Sequence, residues 1–411
     1  MIQINPKNIA LFCITIGSFL RLAFPYDIEF KYDQKLMLDW IIEFWNQGHF
    51  RPIGMLSGGN VPNFGLGVWL FYLIGWFNQT PVGLTMLVST INILSLVFLF
   101  HFINRKIGWD EKDIWYWALS LLSVSILPII LSRNIWIQSI LPPFSFMIWY
   151  LYWSNLSKFI TAFLLAFLLV LIGQIHLSGI FLCFIFSLFL FWLHLKKSIN
   201  LNLKAYVLGG AMGALPMIPL ILHLINSEST SPASNFNNMK DVRFLWFHIF
   251  DGLGLDIFYT LEADTFLFFK YPIINSCFTY VNGILYTTII VISILGIFYT
   301  VRYTMQNKMT ELFSRLHTNK TFQFIFISFL LYALLYFLRV RIYSHYLIIT
   351  YPFIQLLAVY LLQRKKALIY GLILVNLFLS VQFMFFIHNT GGTDNSFYGK
   401  TYQRMIREQI K

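Results

Sequence analysis

The sequence predicts an all-α integral membrane protein of about 11 transmembrane helices, with a first extracytoplasmic loop of amphipathic interfacial helices. Three observations carry that class. Of 411 residues, 58% are hydrophobic and 19% aromatic while 11% are charged, against about a quarter charged in an ordinary soluble domain. A water-soluble globule of this size cannot hide 44 Phe, 22 Tyr and 12 Trp and still present a polar skin. Twelve apolar runs approach the roughly 20 residues that a helix needs to cross hydrocarbon, and basic residues cluster in the short connections between them.

The runs lie near 8–24, 64–78, 82–104, 114–132, 135–153, 157–172, 176–195, 203–225, 278–300, 321–338, 343–362 and 367–387. The first follows Lys7 and shows no small-residue cleavage site, so it reads as a retained signal anchor. The second, NFGLGVWLFYLIGWFN, is short, rich in glycine and bracketed by Pro62 and Pro81. Whether it crosses decides the orientation of every later run. Downstream, alternate connections hold 14 basic residues, from Arg105 to Lys366, against three (Arg133, Arg339 and Arg341) in the short connections of the other set. With the basic set cytoplasmic, the second run is re-entrant or interfacial, which leaves eleven spans.

The expected organisation is a polytopic domain over 1–387, with extracytoplasmic loops at 25–80 and 226–277, and an extracytoplasmic tail over 388–411. The chain is placed in the cell membrane, multi-pass, with the lipid bilayer as its first partner. Its net charge of +12 is a topological signal and no nucleic-acid footprint. Cys13, Cys183 and Cys277 show no metal or disulfide spacing and read as small packing residues. No internal repeat of the transporter kind and no soluble domain is evident. The 226–277 loop opens polar and becomes dense in aromatics, which suggests helices lying at the membrane surface.

On this topology thirteen of the 17 carboxylates face outward. The richest segment is the 25–62 loop. Its DQKLMLDWIIEFW stretch puts Leu36, Ile41 and Phe44 in one sector with Lys35, Asp39 and Glu43 in another, so it reads as an amphipathic helix with Asp33 at its N-cap. Capping by itself explains Asp33 without chemistry. The other reading is that Asp27, Glu29 and Asp33 crowd near the end of the first span, where desolvation keeps a carboxylate basic enough to deprotonate a hydroxyl.

Several short motifs here resemble the integral-membrane glycosyltransferases of the GT-C class, in the family 39-like group of protein O-mannosyltransferases and lipid A aminoarabinose transferases. They are Arg21 followed by Tyr32-Asp33-Gln34, then Gly48, Pro52-Ile53-Gly54, Ser132–Asn134, GQIHLSG, RIYSHYLIITYPF and the tail GGTDNSFYGKTY. Family members carry Asp-Glu where this chain has Asp33-Gln34, which puts the second carboxylate's role on Glu29 or Asp27 if on any residue. The resemblance implies transfer of a sugar from a polyprenyl-phosphate donor to a glycan, lipid or protein acceptor outside the membrane, in a single inverting displacement.

Such a reaction needs one base and cations for the departing phosphate. Asp33 is the expected base, with Asp27 or Glu29 orienting the acceptor. Arg133, Arg339 and Arg341 are the expected phosphate ligands, because a guanidinium fork bonds two oxygens at once; snorkelling to lipid headgroups explains them equally. His49, Gln174, His176, His345 and Tyr346 are expected to touch substrate, although helix-to-helix hydrogen bonding would account for the histidines. No particular cofactor follows from the sequence, and a divalent metal stays open. A divalent metal (Mg or Mn) has only Asp27, Glu29 and Asp33 as ligands, without metal-site spacing. A transporter or flippase of lipid-linked glycans would carry ionisable groups inside its spans, and a polysaccharide polymerase or ligase a more basic outer loop; both stay open at this stage.

Overall fold

The structure is a computed structural model that describes residues 5–56, 62–226, 252–304, 318–337, 344–363, 365–394 and 396–410. It is mostly helical. In chain order the helices are α1 (Pro6–Leu22), α2 (Tyr32–Gln47), α3 (Leu66–Gly75), α4 (Pro81–Lys106), α5 (Trp109–Val124), α6 (Ile126–Leu131), α7 (Leu141–Tyr152), α8 (Phe159–Ile175), α9 (Ser178–Leu195), α10 (Leu203–Gly213) and α11 (Ile218–Asn226). After residue 252 follow α12 (Ile257–Leu261), α13 (Thr265–Phe269), α14 (Val281–Thr304), α15 (Lys320–Phe337), α16 (Phe353–Leu362), α17 (Lys366–Thr390) and α18 (Tyr402–Ile410). Among the described residues, sheet is confined to two small antiparallel pairs, β1 (Ile53–Leu56) with β2 (Pro62–Phe64), and β3 (Ile273–Ile274) with β4 (Cys277–Phe278).

Six helices among the described residues are long and apolar enough to cross a membrane: α4, α9, α10 continued into α11, α14, α15 and α17. Their outward faces carry Leu94, Phe184, Leu188, Phe298, Phe329 and Phe378, all exposed, which is the surface of a protein solvated by lipid. The other five expected spans are shorter or interrupted. Run 114–132 breaks at Ser125, whose extended backbone separates α5 from α6. Pro128 is the reason, since its ring excludes the carbonyl of Val124 four residues back and ends the helix there. Run 135–153 opens as a tight 3-10 turn (Ile137–Ile140) before α7, which begins at Leu141-Pro142. Run 343–362 divides at Pro352 in the same way. Segment α3, with ten residues, is about 15 Å long, half the hydrocarbon thickness.

Close helix approach depends on small residues, as membrane packing requires. A Cβ on Gly17 of α1 would stand 2.1 Å from the Ser123 carbonyl of α5, and one on Gly209 of α10 2.1 Å from the Phe163 carbonyl of α8. Gln174 belongs to the second of these contacts: its Nε2 donates to the Gly213 carbonyl at 2.6 Å. The C-terminal strap lies along the first loop. Backbone bonds join Phe30 to Lys400 (3.2 Å), Tyr402 to Ile28 (2.9 Å) and Gln403 to Tyr26 (3.0 Å), so loop and tail share one side of the molecule.

Candidate active site

Six chain segments meet on that side around a cavity of about 300 Å³. The start of α2 contributes Asp33, and the β1–β2 hairpin Met55, Leu56 and Asn63. The turn after α6 supplies Trp136, Ile137 and Gln138, the α8–α9 break Ile175, His176 and Leu177, and the residues before α16 add His345 and Tyr346; Phe397 of the tail closes the list. Of the residues expected to touch substrate, Asp33, His176, His345 and Tyr346 are thus brought together from positions up to some 300 residues apart.

Asp33 is not the N-cap of α2. Lys31 takes that place, and Gln34, in the third helical position, accepts the Lys31 backbone N–H through Oε1 at 2.9 Å. The cap is therefore satisfied by Gln34, where family members carry a carboxylate, and Asp33 is released from capping. Among the described residues its half-buried carboxylate accepts no hydrogen bond and forms no ion pair. Burial pushes its pKa above the usual carboxylate value, with nearby Lys31 opposing.

The other two acids are spoken for. Glu29 is clamped between Lys31 Nζ (2.7 Å) and Asn134 Nδ2 (2.9 Å). Burial pushes it up to about 7 against the pull of Lys31 and of both hydrogen bonds. Lys31 in turn donates to the Phe397 carbonyl of the tail. Asp27 is buried outside the cavity, its Oδ2 2.7 Å from His388 Nδ1, with Tyr398 donating to its backbone carbonyl. Of the three carboxylates expected to share an acceptor or a metal, Glu29 and Asp27 are accordingly engaged by different partners and Asp33 by none among the described residues. Among the described residues no group of three His, Cys, Asp or Glu side chains could hold a metal ion.

Arg133 does not fit the expected phosphate role. Its guanidinium is buried at the turn after α6 and donates to the Leu20 carbonyl (3.2 Å) and the Phe24 carbonyl (2.8 Å), with Met384 Sδ at 3.1 Å. A charge in a low-dielectric interior is held wherever carbonyl dipoles satisfy it, and here they sit at the end of α1. Arg21 is spent similarly on the Gly17 and Ser123 carbonyls at 2.9 and 2.7 Å. Arg339 and Arg341 lie outside the described residues. Gln174 is a helix-packing residue, as above, and His49 is exposed just beyond α2 and does not line the cavity.

The cavity's remaining chemistry is neutral and aromatic. His176 Nδ1 accepts the Ser178 backbone N–H at 3.3 Å and lies 2.7 Å from Ser178 Oγ, which puts its proton on Nε2. The His345 ring packs 4.3 Å from Trp136 and lies 6.5 Å from Phe397, nearly parallel to it; Tyr346 meets His176 edge-on at 4.8 Å. Gln138 is buried, and its Oε1 has no hydrogen-bond partner among the described residues. Asn63, Trp136, Gln138 and the bracing of Glu29 by Lys31 and Asn134 were not singled out from sequence, and Phe397 entered only as part of the tail motif. Gln138 alone had a legible signal, as a lone amide in the otherwise apolar stretch IWIQSILPP. No family model, curated protein or solved structure matches this chain.

Proposed function

We propose that this chain is a polytopic membrane glycosyltransferase that moves a sugar from a polyprenyl-phosphate donor to an acceptor hydroxyl or phosphate on the extracytoplasmic face of the cell membrane. The observation that carries the reading is Asp33: an unpaired carboxylate with a raised pKa, at the wall of a cavity lined by aromatic rings and neutral hydrogen-bonding groups. A sugar presents apolar ring faces and a rim of hydroxyls, which is the surface such a lining complements. The eleven-span topology belongs to the same proposal, the short and interrupted helices α1, α5–α6, α7, α8 and α16 serving as the remaining spans.

In the reaction the acceptor oxygen attacks the anomeric carbon while Asp33 takes its proton. The bond from that carbon to the phosphate oxygen breaks, the polyprenyl phosphate leaves with the electron pair, and configuration inverts. His176 Nε2–H donates to a sugar hydroxyl, and Gln138 Oε1 accepts from another. Trp136 and Phe397 supply ring faces. Glu29 and Lys31 hold the loop that presents Asp33 and touch the tail, a positioning role. Arg339 and Arg341 are the cations left for the phosphate now that Arg133 is engaged elsewhere.

Mass spectrometry of envelope glycolipids, polysaccharides and glycoproteins from a deletion strain tests this. A product lacking one sugar is expected, restored by the wild-type chain and not by Asp33→Asn. An unchanged envelope would instead favour transport of a lipid-linked glycan.

A further inference from the structure

A second, larger recess of about 770 Å³ opens where the aromatic helices α12 and α13 lean on the start of α14. We propose that it binds one anionic phospholipid, with the headgroup phosphate on Lys270 and an acyl chain running down α14. Phe258, Phe266 and Phe269 form one wall, and α14 forms the other from Gly283 to Val291. The polar atoms on that wall are self-satisfied: Thr287 and Thr288 donate to the Gly283 and Ile284 carbonyls one turn back, at 2.8 and 2.9 Å. Below the rim the recess therefore offers hydrocarbon contacts only.

The rim is different. Lys270 Nζ stands 5.1 Å from the Phe278 ring and, among the described residues, forms no ion pair; Tyr280 lies beside it at the mouth. A cation at one end of an apolar trough complements a lipid phosphate. The length fits as well. From Val281 to Val291 a helix rises about 15 Å, half of the roughly 30 Å hydrocarbon core, so the trough spans one leaflet. Packing of Phe268 and Tyr271 against Phe386 of α17, 5.4 and 4.9 Å between rings, sets the rim on the same side as the tail and the Asp33 cavity. The two recesses share no lining residue, which favours a resident lipid over the donor carrier as the occupant.

Native mass spectrometry of the full-length protein, reconstituted with equimolar phosphatidylglycerol and phosphatidylcholine, tests the site. One phosphatidylglycerol should be retained, enriched at least tenfold over phosphatidylcholine. Lys270→Glu should erase the enrichment and Lys270→Arg preserve it. Gly283→Trp should expel both lipids, since Gly283 lines the recess and an indole there would fill it. Equal retention of the two lipids, enrichment unchanged in Lys270→Glu, or displacement of the bound lipid by an equimolar short-chain polyprenyl phosphate would each overturn the proposal. None of these readouts depends on sugar transfer.

Discussion

Nδ1 of His388, at the C-terminal end of α17, lies 2.7 Å from Oδ2 of Asp27 in the first loop, so the two ends of the chain are pinned together beside the candidate active site. The carboxylate is 1% exposed, and the strap that follows His388 carries Phe397 into the cavity wall. Removing the imidazole leaves a buried acid without its ring partner. His388→Ala should cost about 1–3 kcal/mol and expose the strap to trypsin at Lys400, Arg404 and Arg407. A cleavage rate equal to wild type would show that the pair does not hold the tail.

Asp33 is the one first-loop acid in the cavity that is free to take a proton. Asp33→Asn should lower transfer by about 100-fold or more, with expression and thermal stability unchanged, because no protein partner is lost. Undiminished transfer by Asp33→Asn would remove the base from the proposed mechanism.

Glu29 yields a pH prediction. Its pKa is raised from 4.5 to about 7 in the folded chain, so the folded state keeps a proton that the unfolded state releases across that window. The stability it lends is complete below about pH 4.5 and is lost as pH rises through 7, about 3 kcal/mol at most. The melting temperature of Glu29→Gln, set against wild type from pH 4 to 8, should fall less steeply with pH. Parallel curves would mean that Lys31 keeps Glu29 ionised throughout.

Arg133 is expected to matter for folding and not for the donor. Arg133→Ala strips charged donors from the Leu20 and Phe24 carbonyls and should destabilise by about 3 kcal/mol. Thermal unfolding in detergent would read the loss, while the KM for the lipid donor should stay within twofold in protein that remains folded. A large KM rise at unchanged stability would return Arg133 to the phosphate.

Gln174 separates packing from binding. Gln174→Leu removes its bond to the Gly213 carbonyl and should loosen α8 against α10 by about 1–2 kcal/mol. Substrate affinity should not move, which a donor titration would check.

The sequence by itself determined the solvent and the secondary structure: composition demanded lipid, and apolar runs of helical length demanded helices. It also picked out Asp33, from the acids crowding the first loop, and His176, His345 and Tyr346, from short motifs at the ends of apolar runs. It could not say which polar group is spent on holding the fold. Arg133 and His176 look alike in sequence, each in a short polar cluster at the end of an apolar run, yet one clamps the carbonyls at the end of α1 and the other lines a cavity. Gln34 and Asp33 are neighbours, and only the helix start at Tyr32, two residues earlier than expected, gives the cap to Gln34 and leaves the carboxylate free. The bonds from tail to first loop join segments more than 300 residues apart, and no local pattern announces them. A hydrogen bond satisfied or left open is a property of two partners, and tertiary structure alone decides who the second partner is.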